Sequence, residues 1–247
     1  MEKIYSRTKA VNQVSGGFCP GCFHGVIVKI IGEVTEEMGL IDKAVCVIGV
    51  GCCNNIYGYV KGKVDMVNTP HGRAPAVATG LKRMAPQDTL VYTYQGDGDC
   101  AAIGLSEIIY AANRGEKITV IFVNNSTYGM TGGQMAPTTL IGQKSTTTPK
   151  GRDADDVGYP MHMCELLNTL RAPVFITRVS CDTAPHILKA KEAIRKGFQN
   201  QIDGKGFSFI EIMSSCPTNW GLSPVDSVKF MQENTLKEFP IGTLRDN

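Results

Sequence analysis

The sequence predicts an α/β fold, doubly wound about a mainly parallel sheet, on three observations. Six short β-rich runs recur, plausible helices alternate with them, and 247 residues suffice to bury one sizeable core without help from disulfides or metals. The runs are "AVCVIGV" (44–50), "VDMVNT" (64–69), "TLVYTY" (89–94), "ITVIFVN" (118–124), "APVFITRV" (172–179) and "GFSFIEIM" (206–213). Their apolar character suggests strands covered on both faces, as in a parallel sheet between two helix layers. Helices are expected near 22–38, 73–84, 101–113, 160–170 and 185–199, and this alternation is the pattern of a doubly wound sheet. One domain is expected over 1–247, with a C-terminal extension from about 220 that packs over the surface or a partner.

Charge and composition narrow the function. Lysine plus arginine total 25 against 23 acids, a net charge of +2, and no basic block with interleaved aromatics forms a nucleic-acid face. The first 20 residues mix Lys3, Arg7 and Lys9 with polar residues, and no stretch reaches the roughly 18 apolar residues that spanning requires. A cytoplasmic, soluble protein without membrane contact is expected. Nine cysteines in such a chain point to reduced thiols or metal ligands rather than a disulfide framework.

Two turns carry the chemistry. In "YQGDGD", Gly96 and Gly98 permit close ligand approach, Asp97 offers a carboxylate at a strand end, and "CAAIGLSEIIYAAN" can open a helix. After the next strand come Asn124 and Asn125, then a flexible backbone through Tyr128 and Gly129. A carboxylate, an amide oxygen, a backbone carbonyl and two phosphate oxygens would fill most of an octahedron around magnesium. Segment 126–159 has no hydrophobic period, and it follows a strand's carboxyl end, where open α/β sheets bind ligands. A dinucleotide turn fits poorly, because "GDGDCAAIG" lacks the Gly-x-Gly-x-x-Gly spacing.

With 28 residues from Asp97 to Asn125, the paired turns resemble the diphosphate-binding signature of thiamine diphosphate enzymes. The resemblance implies a fold of that type, with magnesium on Asp97, Asn125 and the Thr127 carbonyl. It also implies that Gly96, Gly98, Asp99, Tyr128, Gly129, Met130 and Thr131 surround the cofactor, with polar contacts from Gln134, Thr138 and Thr139.

Cys19 and Cys22 in "FCPGCFHG" have a spacing that suits zinc, a redox dithiol or an iron–sulfur cluster. Further cysteines stand after strands in "GVGCCNNIYG" and "SSCPTNWG", whereas Cys46, Cys100 and Cys164 read as buried small hydrophobes and Cys181 is ambiguous. Together with "TPHGRAPAVATGLKR" and "NNSTYGMTGGQMAPTT", these motifs resemble the β subunit of the 2-oxoacid:ferredoxin oxidoreductases over residues 19 to about 224. The resemblance implies a 4Fe-4S cluster on Cys19, Cys22, Cys53 and Cys216, Cys53 being preferred to the adjacent Cys52. It implies coenzyme A-dependent oxidative decarboxylation of a 2-oxoacid, with 2-oxoisovalerate favoured over 2-oxoglutarate. His71 and Arg73 would face the thiazolium or the substrate carboxylate, although His71 can equally be a neutral helix cap. An α subunit would supply the glutamate for the pyrimidine ring, beside γ and ferredoxin-like δ subunits, with ferredoxin accepting electrons. A non-redox thiamine diphosphate decarboxylase or synthase and a zinc-stabilised binding module are the rivals.

Overall fold

Successive side chains along the inner strands enter different cores. The computed structural model describes residues 6–13 and 17–247, so Lys3 and part of the polar N-terminal stretch lie outside the described residues. Six strands run parallel: β1 (Ala44–Ile48), β2 (Asp65–Asn68), β3 (Leu90–Gly96), β4 (Thr119–Asn124), β5 (Phe175–Ser180) and β6 (Ser208–Met213). A seventh, β7 (Gly242–Asp246), pairs antiparallel with β5, giving the order β2-β1-β3-β4-β6-β5-β7. Tyr92, Tyr94, Ile121 and Val123 join one buried core, and Val91, Val120 and Phe122 join the other. Each large apolar side chain so buried contributes about 1.5–3 kcal/mol.

Helices cover both faces. The chain forms α1 (His24–Glu37), α2 (Ile56–Val60), α3 (Ala74–Met84), α4 (Leu105–Asn113), α5 (Ala154–Val157), α6 (Met163–Asn168), α7 (Ala184–Ile202), α8 (Pro217–Trp220) and α9 (Pro224–Phe230). Ile27, Ile31, Ile194 and Phe198 place α1 and α7 on the first core; Ala78, Ile108 and Leu167 place α3, α4 and α6 on the second. Among the described residues no helix is long and apolar enough to cross a membrane.

Three departures from the sequence expectations have local causes. The first strand stops at Ile48 rather than continuing to Val50, because Val50 N–H donates to Asp99 Oδ1 at 3.0 Å and Gly51 turns away at φ +128°. The helix expected from 101 begins earlier, as a π-helical segment over Gly98–Ile103. The C-terminal extension completes the sheet as well as packing on it, since β7 forms its edge. Its pattern is too polar to announce a buried strand.

The long loop lacks a hydrophobic period yet is well anchored. Arg152 is buried, and its guanidinium donates to the carbonyls of Pro137, Thr139, Gly158 and Tyr159 at 2.7–2.9 Å. One planar donor fork thus does the work that an apolar stripe does elsewhere.

Candidate active site

Strand order reverses between β1 and β3, since β2 lies beyond β1 while β4 lies beyond β3. Open α/β sheets bind ligands in the crevice outside the carboxyl ends at such a point. A cavity of about 90 Å³ opens there, lined by His24, Cys52, His71, Asp97, Asn125 and Tyr128 among others. A larger one, about 360 Å³, lies between α7 and β7. It holds none of the expected site residues, and its His186 and Lys196 are already paired with Asp182 and Asp246.

The two turns converge. Asp97 is 3% exposed and accepts hydrogen bonds from Gly98 N–H at 2.8 Å, Thr127 N–H at 3.2 Å and Thr138 Oγ1 at 2.8 Å. Burial pushes its carboxyl up to about 6, against the pull of these donors. Among the described residues no lysine or arginine neutralises it. Asn125 Oδ1 accepts from the same Thr127 N–H at 3.2 Å, so Asp97, Asn125 and Thr127 stand at one point. A buried carboxylate that meets only neutral donors beside an amide oxygen and a carbonyl is a donor set suited to a hard cation. Gly129, Met130 and Thr131 line the same cavity, and Thr131 Oγ1 donates to Gln134 Oε1 at 2.7 Å. Of the threonines, Thr138 braces Asp97 and Thr139 donates to the Ser126 carbonyl.

Gly98 has no room for a side chain. A Cβ there would stand 2.2 Å from the Tyr128 ring, whose hydroxyl donates to the Gly98 carbonyl at 3.2 Å. Gly98→Ala should force that ring out of the cavity wall and cost about 1–3 kcal/mol, read as a lowered melting temperature.

Asp99 plays a different part from Asp97. Its oxygens accept Val50 N–H at 3.0 Å, Gly72 N–H at 2.8 Å and Gln95 Nε2 at 2.6 Å. His71 Nδ1 also lies 2.6 Å away, poorly aligned for a hydrogen bond. Asp99 lines the cavity, and its carboxylate ties together the segments after β1, β2 and β3. His71 lines the cavity with its ring against Asp99. Arg73 does not line it; its guanidinium is ion-paired with Glu107 at the surface.

Cys19, Cys22, Cys52 and Cys216 lie within electrostatic reach of one another on the loops near the cavity. Burial pushes Cys22 up to about 11 and Cys52 up to about 12, and each is raised further by Cys19 and Cys216. Cys52 and Cys216 also feel the charge of Asp97. Asn219 Nδ2 donates to Cys216 Sγ at 3.3 Å and to the Gly129 carbonyl at 2.9 Å, linking the thiols to the loop. Cys52 and Cys53 both line the cavity, and it is Cys52 Sγ that faces the loop, 3.1 Å from where a Cβ on Gly129 would stand. Cys53 is 1% exposed and buried in the core, where burial and the nearby Asp99 carboxylate raise its thiol. Within the 3₁₀ turn Cys52–Asn55, Cys53 is buried and Cys52 is not. As they stand, no three His, Cys, Asp or Glu side chains among the described residues enclose a metal ion.

His24 is a cavity residue that sequence reasoning passes over. It is fully buried, and burial lowers its imidazole to about 4, so it is neutral. Its Nδ1 lies 2.5 Å from Tyr94 Oη, and its ring stacks on Phe18 at 5.1 Å. Only its place two residues after Cys22 hints at this.

Comparison with known proteins agrees with this geometry. The family "Thiamine pyrophosphate enzyme, C-terminal TPP binding domain" matches residues 49–212. The ketoisovalerate oxidoreductase subunit VorA of Methanothermobacter thermautotrophicus is 48% identical over 246 residues, covering 100% of this chain and 51% of that relative. The 2-oxoglutarate synthase subunit KorB of Methanothermobacter marburgensis is 41% identical over 225 residues, covering 89% and 74%. A solved 2-oxoglutarate:ferredoxin oxidoreductase from Magnetococcus marinus, with 2-oxoglutarate, coenzyme A and succinyl-CoA bound, superposes with a TM-score of 0.78 at 25% identity, covering 96% of this chain and 84% of that one. The chain spans about half the length of the VorA relatives it matches.

Proposed function

Because the chain belongs to the 2-oxoacid:ferredoxin oxidoreductase family, we propose that it is the subunit holding the diphosphate end of thiamine diphosphate and a 4Fe-4S cluster. The carrying observation is that Cys52 lines the same cavity as Asp97 and faces Gly129, to which Asn219 also ties Cys216, so the cysteine loops adjoin the diphosphate site. Asp97, the Asn125 amide oxygen and the Thr127 carbonyl hold magnesium against the diphosphate. When bound, thiamine diphosphate supplies a nucleophilic carbon and an electron sink, and the cluster a one-electron acceptor. His71, its ring set by Asp99, meets the substrate carboxylate; Arg73, engaged by Glu107, is left outside.

The reaction is coenzyme A-dependent oxidative decarboxylation of a 2-oxoacid in the cytoplasm, with ferredoxin accepting the electrons. A branched-chain substrate such as 2-oxoisovalerate is favoured by the VorA relatives and by apolar Met130, 47% exposed in the loop over the cavity. The solved relative with 2-oxoglutarate bound favours the second reading, a 2-oxoglutarate enzyme. Rates of the assembled enzyme with 2-oxoisovalerate, 2-oxoglutarate and pyruvate separate the two.

A cavity of about 90 Å³ takes one end of the cofactor. Activation also needs a carboxylic acid on the aminopyrimidine. Glu107, the first acid after the diphosphate turn, is paired with Arg73. The whole chain thus acts as one diphosphate-end unit, and an α subunit provides the pyrimidine-side glutamate, joined by γ and ferredoxin-like δ subunits. Purified chain given thiamine diphosphate, magnesium, coenzyme A, 2-oxoacid and an electron acceptor should turn over only with its co-purifying partner. Sustained turnover by the chain alone would refute the shared site.

A further inference from the structure

The turn that carries Asn125 and Thr127 pivots on Ser126, the one non-glycine residue with a left-handed backbone among those described, at φ +59°. L-residues enter that conformation at a cost. Its own side chain does nothing to hold it, for Ser126 Oγ is buried without a hydrogen-bond partner. Its backbone is held instead. Ser126 N–H donates to Asn124 Oδ1 at 3.1 Å, and Thr139 Oγ1 donates to the Ser126 carbonyl at 2.7 Å.

Asn124 is itself anchored in the sheet interior. Its amide donates to Glu211 Oε1 at 2.8 Å, and Arg178 Nε donates to Glu211 Oε2 at 2.8 Å. The outer nitrogens of Arg178 donate to the Glu165 carboxylate at 2.9 and 2.6 Å and to the Pro240 carbonyl at 3.2 Å. Asn124 and Glu211 are fully buried and Arg178 is 1% exposed. A buried ion pair is a poor source of stability compared with apolar residues of the same volume, but it fixes position strictly. This one ends on the residue before the magnesium turn.

We propose that Asn124 and Glu211 are positioning residues, which hold Ser126 left-handed so that Asn125 Oδ1 and the Thr127 carbonyl face the ion. The inference rests on the magnesium reading given above. The test is a magnesium titration of the assembled complex, stripped of divalent cations and saturated with thiamine diphosphate, read as thiamine retained after gel filtration. Asn124→Ala should raise the half-saturating magnesium about tenfold, the ratio to which the left-handed cost converts. Ser126→Gly added to it should recover most of the loss, because glycine adopts the conformation without a brace. A general loss of packing would not be rescued in this way. Thr139→Val, which deletes the other brace, carries the same expectation and rescue, so the outcome does not depend on Asn124→Ala folding. Wild-type magnesium demand in both single variants, or no recovery with Ser126→Gly, overturns the proposal. Asp97→Asn tells the two failures apart: if it too needs no more magnesium, the metal site falls and the positioning with it. If it alone loses magnesium, only the positioning falls.

Discussion

Asp97→Ala is expected to abolish magnesium-dependent retention of thiamine diphosphate by the assembled complex while the sheet stays folded. Asp97 is the one carboxylate of the proposed donor set, and its removal should weaken cofactor binding at least about a hundredfold, roughly 3 kcal/mol. The alanine also strands two donors, on Gly98 and Thr138, while Thr127 N–H keeps Asn125 Oδ1, so Asp97→Asn is the cleaner companion. Burial that raises the carboxyl from 3.8 to about 6 sets a pH dependence as well. Between those values the metal-free folded chain holds its proton more tightly than the unfolded chain, so stability from this group falls as pH rises through the window and levels off above it. Magnesium competes with that proton. The melting-temperature gain on adding magnesium and thiamine diphosphate should therefore widen between pH 5 and about 7.5. Normal cofactor retention in Asp97→Ala would remove the metal site from consideration.

Cys52→Ser should strip the iron from the complex, and Cys53→Ser should not. Serine at Cys19, Cys22 or Cys216 is expected to act like Cys52→Ser, because each removes one thiolate from a four-thiolate site. Cys53→Ser instead buries a hydroxyl in the core and should cost about 1–3 kcal/mol of stability with the iron retained. Iron and labile sulfide content, with the broad absorption near about 400 nm of thiolate-bound clusters, measured on anaerobically purified complex, decides it. Iron retained in Cys52→Ser and lost in Cys53→Ser would restore the other register. A colourless complex with stoichiometric zinc would end the iron–sulfur reading altogether.

What the sequence makes legible here is what short-range chemistry encodes. Asp97 and Asn125 can be paired from the page because one strand-helix-strand unit separates them, and parallel neighbours place their carboxyl ends together. The choice between Cys52 and Cys53 is not legible, because one step along a 3₁₀ turn decides which thiol points into the core. His24 meets Tyr94 across 70 residues, and Asn124 meets Glu211 across 87. Such contacts follow from strand order, which local patterns do not specify. The role of Asp99 is hidden for another reason: in "GDGD" two aspartates look alike, and only the fold shows that Asp99 accepts from the loops after β1 and β2 and from Gln95 of β3. Segment 242–246 is too polar to read as a strand, yet at the edge of a sheet polarity is no obstacle.

The order β4-β6-β5 means that the chain makes its central strands out of spatial sequence. β5 and the long α7 leave the ribosome before β6, which must then enter between β4 and β5, and β6 is the strand that carries Glu211. Sheet closure is thus a late event with high contact order, and until it happens Asn124 has no Glu211 behind it. Cofactor capture then becomes a clock for folding. In a refolding experiment, magnesium-dependent uptake of thiamine diphosphate should lag the recovery of helical signal and coincide with the slowest phase of sheet formation.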